Sequence, residues 1–128
     1  MPNLQKALRD RIVSAVGHSR VYWMIVPQGT TKPYIRLQTV SDPRPQHLGG
    51  YDAARTARVQ VDVFADSYGA ARSGAESLII ALADPATVAG IKFGRVKAEG
   101  PRDLGEDVKG GGYVHRSSLD LLVEHSLA

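Results

Sequence analysis

At 128 residues, with 43% hydrophobic and 23% charged residues, the chain suits one globular domain, 1–128, and wholesale disorder is excluded. It contains no cysteine, which removes disulfide frameworks and thiolate metal sites from consideration. The net charge of +3 comes from eleven Arg and five Lys interleaved with acids, as in Asp42, Arg44, Asp52, Arg55, Arg58 and Asp62, rather than clustered as nucleic-acid binding requires.

The first predicted element is a helix capped by Asn3, with Leu4, Leu8, Ile12 and Val16 at i+4 steps, Ala7 and Ala15 beside them, and Gly17 as the stop. Lys6, Arg9, Asp10 and Arg11 interrupt this segment, so it is not read as a signal peptide. No apolar run approaches the ~20 residues of a membrane span, so the expectation is a soluble chain made in the cytoplasm, with no membrane partner. A β-forming run at 21–26 ends at Pro27 and Gly29, and a second strand covers 34–40. Residues 42–56, with Pro43, Pro45, Gly49, Gly50 and Tyr51, read as a long loop or arm, a length that in small domains usually serves a purpose.

The clearest pattern follows. Val59, Val61, Val63 and Ala65 alternate with Arg58, Gln60 and Asp62, which predicts a strand over 57–65 with one apolar and one polar face. Asp66 or Ser67 then caps a helix over 67–83, whose stripe of Ala71, Ala75, Leu78, Ile79 and Leu82 can pack back onto the valines. Asp84-Pro85 ends it. A strand over 91–98 carries a bulge at Gly94, 100–112 reads as a polar loop, and 113–124 alternates as a last strand. The order α-β-β-β-α-β-β predicts an α+β fold: a mainly antiparallel sheet of four or five strands with two helices packed on it.

Catalytic and metal chemistry find no support. His18, His47, His115 and His125 lack metal-ligand spacing, and His115, Ser117 and Asp120 make no nucleophile elbow. Lys109 precedes its glycines instead of following them, so 109–112 is a turn and not a phosphate loop. Glu99, Asp103, Glu106 and Asp107 miss the calcium-loop pattern. The expectation is no catalytic residue, no metal and no cofactor; an enzyme ranks last among the readings, behind a small nucleic-acid-binding module.

Taken together, V-P-Q-G-T-T-K-P-Y-I-R-L-Q, R-V-Q-V-D-V-F-A-D-S-Y, the helix with A-x-x-x-A-E-S-L, and D-L-G-E-D ahead of R-S-S-L-D-L-L-V resemble the tail-completion, or tail-terminator, family of long-tailed bacteriophages and gene-transfer particles. The resemblance implies a structural virion protein at the head–tail joint, built in the bacterial cytoplasm. It implies a homo-oligomeric ring, commonly a hexamer, which caps the tail tube, meets the head connector and lets DNA pass without specific binding. A head-closure or neck adaptor of similar topology is the alternative. A closing ring needs head-to-tail contacts. The candidate contact residues are Arg44, His47, Tyr51, Arg55 and Arg58 in or beside the arm, with Asp103, Glu106 and Asp107 as partners on the neighbour.

Overall fold

The computed structural model describes residues 3–43, 46–47, 50–51, 55–107 and 113–127, with the backbone alone at 46, 47, 50, 51, 106, 107 and 113. Helix α1 spans Leu4–Val16; the Asn3 side chain accepts from the Lys6 amide at its start, and Gly17, at φ 80°, closes it by donating to the Val13 carbonyl. Helix α2 spans Tyr68–Leu82, and of the two expected caps it is Ser67 that accepts a hydrogen bond from Ala70 N–H. Both apolar stripes are buried as their spacing demands, with Leu4, Ala7, Leu8 and Ile12 of α1 and Ala71, Ala75, Leu78 and Leu82 of α2 inside.

The strands are β1 (Val21–Trp23), β2 (Tyr34–Ser41), β3 (Gln46–His47), β4 (Gly50–Tyr51), β5 (Arg55–Ala65), β6 (Ala86–Val88), β7 (Ile91–Asp107) and β8 (Tyr113–Leu127). Six form one sheet in the order β1-β2-β5-β8-β7-β6, and β3 and β4 pair as a separate two-stranded ladder. In the main sheet β1 runs parallel to β2 and the remaining neighbours are antiparallel. Register places Ile35, Leu37, Val59, Val61, Val63, Leu119, Leu121, Val123 and Phe93 on one face, and the two helices bury it in a continuous apolar cluster.

This is the expected α+β class with more strands than the four or five anticipated. β6 follows Pro85 and is three residues long, too short to show a period. β1 stops at Trp23 and not at residue 26, because Met24 takes a φ of 64° and turns the chain out of the sheet. The larger correction concerns 100–112: β7 continues through its first half to Asp107. The expected irregularity at Gly94 is present as a register shift between Phe93 and Val96, and a second shift lies between Glu99 and Arg102.

Gly100 makes that second shift passable. It sits at φ +104°, and a Cβ there would lie 3.3 Å from both Arg102 N and Ser118 O. Both atoms are backbone and cannot move aside cheaply. Gly100→Ala is therefore expected to cost about 1–3 kcal/mol of stability, read from the midpoint of urea unfolding. An unchanged midpoint would show that the strand can pass this point without a left-handed residue.

Candidate functional site

The arm is tied at its two ends. Asp42, just before it, lies 3.6 Å from Arg55 Nη2 at its far end and 3.4 Å from His125 Nε2 of β8. His125 is buried, and β5–β8 pairing sets it directly beside Arg55. Between these anchors Gln46 pairs with Tyr51 and His47 with Gly50, so the backbone doubles back on itself. Arg44 and the side chains of His47 and Tyr51 lie outside the described residues, as do those of Glu106 and Asp107, whose backbones pair with Val114 and Tyr113.

Arg58 lies on the opposite side of the sheet from Arg55, and its partners are in its own chain. Its Nη1 donates to Asp120 at 3.1 Å and its Nη2 to Glu99 at 3.1 Å. These bonds, that to Glu99 foremost, hold the guanidinium above its ordinary pKa. Asp120 also accepts from Arg102 at 3.3 Å. Four residues along β5 from Arg58, Asp62 accepts from Arg36 Nη2 at 2.8 Å and from Gln60, with Arg116 Nε 3.9 Å away. The Arg36 and Arg116 guanidinium groups also lie 5.5 and 5.9 Å from the centre of the Phe64 ring, which stacks on Tyr34 at 4.8 Å. Asp62 ends up 1% exposed on a face that the alternation alone marks as solvated.

The outer face is thus a grid of alternating sign across β2, β5, β8 and β7. Arg36, Arg58, Arg102 and Arg116 each face Asp62, Asp120 or Glu99. Such a surface has none of the single-signed character that replaces counterions along phosphates. Asp103 is placed elsewhere, on the helix-covered side, where it accepts from Tyr68 Oη at 3.2 Å and pairs with Arg72 at 3.5 Å. Of the residues singled out in the sequence, Arg55, Arg58 and Asp103 therefore already have opposite charges or donors within the chain. The grid was missed as a unit. Its only sequence signal is the pair of polar alternations Arg58-Gln60-Asp62 and Arg116-Ser118-Asp120, which register sets side by side.

His115 and Ser117 share the inner face of β8 while Asp120 is on the outer, a geometry that cannot form a catalytic triad. Among the described residues no group of three or more His, Asp or Glu is arranged to hold a metal ion, and no helix is long and apolar enough to cross a membrane. The outer edge of β7 beyond its short pairing with β6 at Ile91, Lys92 and Phe93 has no partner strand among the described residues. Pro101 and the charged side chains along it blunt that edge against indiscriminate pairing.

A cavity of about 280 Å³ opens between the C-terminal end of α1, α2 and the sheet. Ile35, Val63 and Leu78 line it deeply, and Ala15, Ala70 and Ser77 stand at its exposed rim. His18 also faces it; burial first, then the charge of Arg20, pushes the imidazole pKa below its usual value, and Nδ1 accepts the Arg20 amide at 3.1 Å.

The chain matches the family model described as tail completion protein gp17 over residues 3–122. A solved structure, the virion of a native gene transfer agent particle, contains a chain of similar fold. The TM-score is 0.62 at 17% identity, covering 97% of this chain and 93% of that one. Among curated proteins none matches. The family match takes in both helices and every strand of the sheet, reaching well into β8, and the chain belongs to the tail completion protein gp17 family.

Proposed function

We propose that this chain is a structural component of the virion that assembles as a ring, caps the tail tube and joins it to the head connector. The family match, which spans the fold from the Asn3 cap into β8, carries this reading. A joint of this kind works by shape and contact, not chemistry, and the charge-balanced outer face suits a protein past which DNA slides without being gripped. The arm, tied at Asp42 and Arg55, is the segment that reaches a neighbouring subunit or the tail, with Arg44, His47 and Tyr51 as its contacts. Glu106 and Asp107, at the far end of β7, are the acidic residues offered to it. Six subunits per ring is the expected number.

Light scattering coupled to size exclusion, with negative-stain images of the same peak, tests the ring. A closed ring of several 13.8 kDa subunits, alone or on purified tail tubes, is the expected result. Failure to assemble under both conditions would remove the capping role and favour a neck adaptor. Replacing 44–54 by a short Gly-Ser linker should leave thermal unfolding nearly unchanged, because the core lies elsewhere, and should abolish capping of tails. Full capping by that variant would move the contact off the arm.

A further inference from the structure

We infer that the cavity between α1, α2 and the sheet is a socket for the Met24–Ile25 pair of a second copy of this chain, an inference that rests on the ring reading above. Met24 and Ile25 are two adjacent large aliphatic side chains left 57% and 80% exposed. They are not loosely exposed. The Met24 amide donates to Leu37 O at 2.8 Å and the Ile25 amide to Trp23 O at 2.7 Å, which fixes the turn that presents them. Met24 adopts a φ of 64°, a conformation that an unbranched side chain enters only against a steric penalty. A residue held there by its surroundings, with an apolar pair pushed into water as the outcome, points to a use for the pair.

The socket has matching properties. Its deep wall is aliphatic, and its rim is built from small residues that let another chain approach closely. At about 280 Å³ it exceeds the ~150 Å³ that admits a benzene-sized apolar group, so it accommodates a branched aliphatic side chain together with part of its neighbour. Gly74 keeps the helix close to the sheet at its edge, since a Cβ there would stand 2.9 Å from Val63 Cγ1. Ile80, one turn beyond Ser77 on α2 and 76% exposed, extends the apolar surface outside the opening.

Topology keeps the pair out of the cavity of its own chain, so within this proposal it enters that of another copy. β1 and β2 run parallel, with the cavity beside Pro33 and Ile35 at the start of β2 and the apolar pair beyond the end of β1. The pair and the socket therefore lie toward opposite ends of one edge of the sheet, and a chain cannot fill its own cavity. A knob and a hole on different surfaces of the same chain form a heterologous contact, which repeats head to tail and closes into a ring when the rotation permits.

The chain is free of cysteine, so a crosslink reads this contact cleanly. The double variant Ile25→Cys with Ser77→Cys, oxidised on assembled protein, should give a ladder of disulfide-linked multimers ending at the ring size. A control carrying Ile25→Cys with Thr87→Cys, whose second site is on β6 at the far edge, should give no ladder. In parallel, Ile25→Asp should weaken self-association at least tenfold while leaving the unfolding temperature of the monomer unchanged. Rings that form without the ladder, or that tolerate Ile25→Asp, overturn the socket and leave the ring reading standing. Absence of rings from the unmodified protein, alone and on tail tubes, overturns both.

Discussion

Replacing Phe93 with alanine is expected to lower folding stability by about 3–5 kcal/mol. Phe93 heads the fully buried side chains by volume and is 0% exposed. It stands on the inner face of β7, opposite His125 on one side and Ala86 of β6 on the other. Its loss combines the transfer free energy of an aromatic ring with a cavity that three strands and α1 cannot close without shifting. A second contribution comes from Arg11, whose guanidinium lies 5.3 Å from the ring centre and whose Nη2 donates to the Asp84 carbonyl. The ring face is a favourable surface for that partly buried charge. Thermal unfolding should show a fall of roughly 10–20 °C for a domain of this size. Phe93→Leu, which keeps most of the volume, should lose only about a third as much. Equal losses for both variants would mean that ring shape, and not filled volume, holds the edge of the sheet.

Asp62→Ala is expected to cost about 2–4 kcal/mol, below the cost of breaking a fully buried pair because its arginine partners keep some contact with water. The carboxylate is 1% exposed, while Arg36 and Arg116 retain 31% and 30% of their side-chain exposure. Removal of the acid leaves two guanidinium groups converging over Phe64 with no carboxylate between them, and the ring face and partial hydration offset only part of their repulsion. Arg36 Nε and Arg116 Nε are already buried without a hydrogen-bond partner, so loss of the acid adds to polar groups that are unsatisfied beforehand. A double-mutant cycle with Arg36→Leu separates pairing from packing. The double variant should be more stable than the sum of the single losses predicts, by 1 kcal/mol or more. Strict additivity would show that Asp62 serves only to fill space.

The elements that announce themselves in the sequence do so because a single local period decides them. Val59 to Val63 alternates without exception, and α1 and α2 have both their stripes and their caps in plain view. What was misread depended on partners far along the chain. The segment 100–107 has the Gly, Pro and acids of a loop, and it becomes strand because β8 offers it a continuous ladder from Ser118 back to Tyr113. Asp62 looks like an ordinary solvated residue until β2 brings Arg36 alongside and β8 brings Ser118, with Arg116 two pairs further on. The contact candidates divide on the same principle. A basic residue beside an arm suggests a partner on another subunit, yet Glu99 and Asp120 reach Arg58 from 41 and 62 residues away in the same chain. Pairing at such distances leaves no local trace.

The position of β8 bears on how the molecule comes into being. It is the last described strand in chain order and lies between β5 and β7 near the middle of the sheet. Until it is synthesised, β5 and the β6–β7 edge have no bond to each other, and the helices have only fragments of a sheet to cover. A nascent chain lacking it thus exposes the valines of β5 and the apolar side of β7 together, a state attractive to chaperones and prone to aggregate. The two halves of the sheet, β1-β2-β5 on one side and β7-β6 on the other, can close only once β8 stands between them.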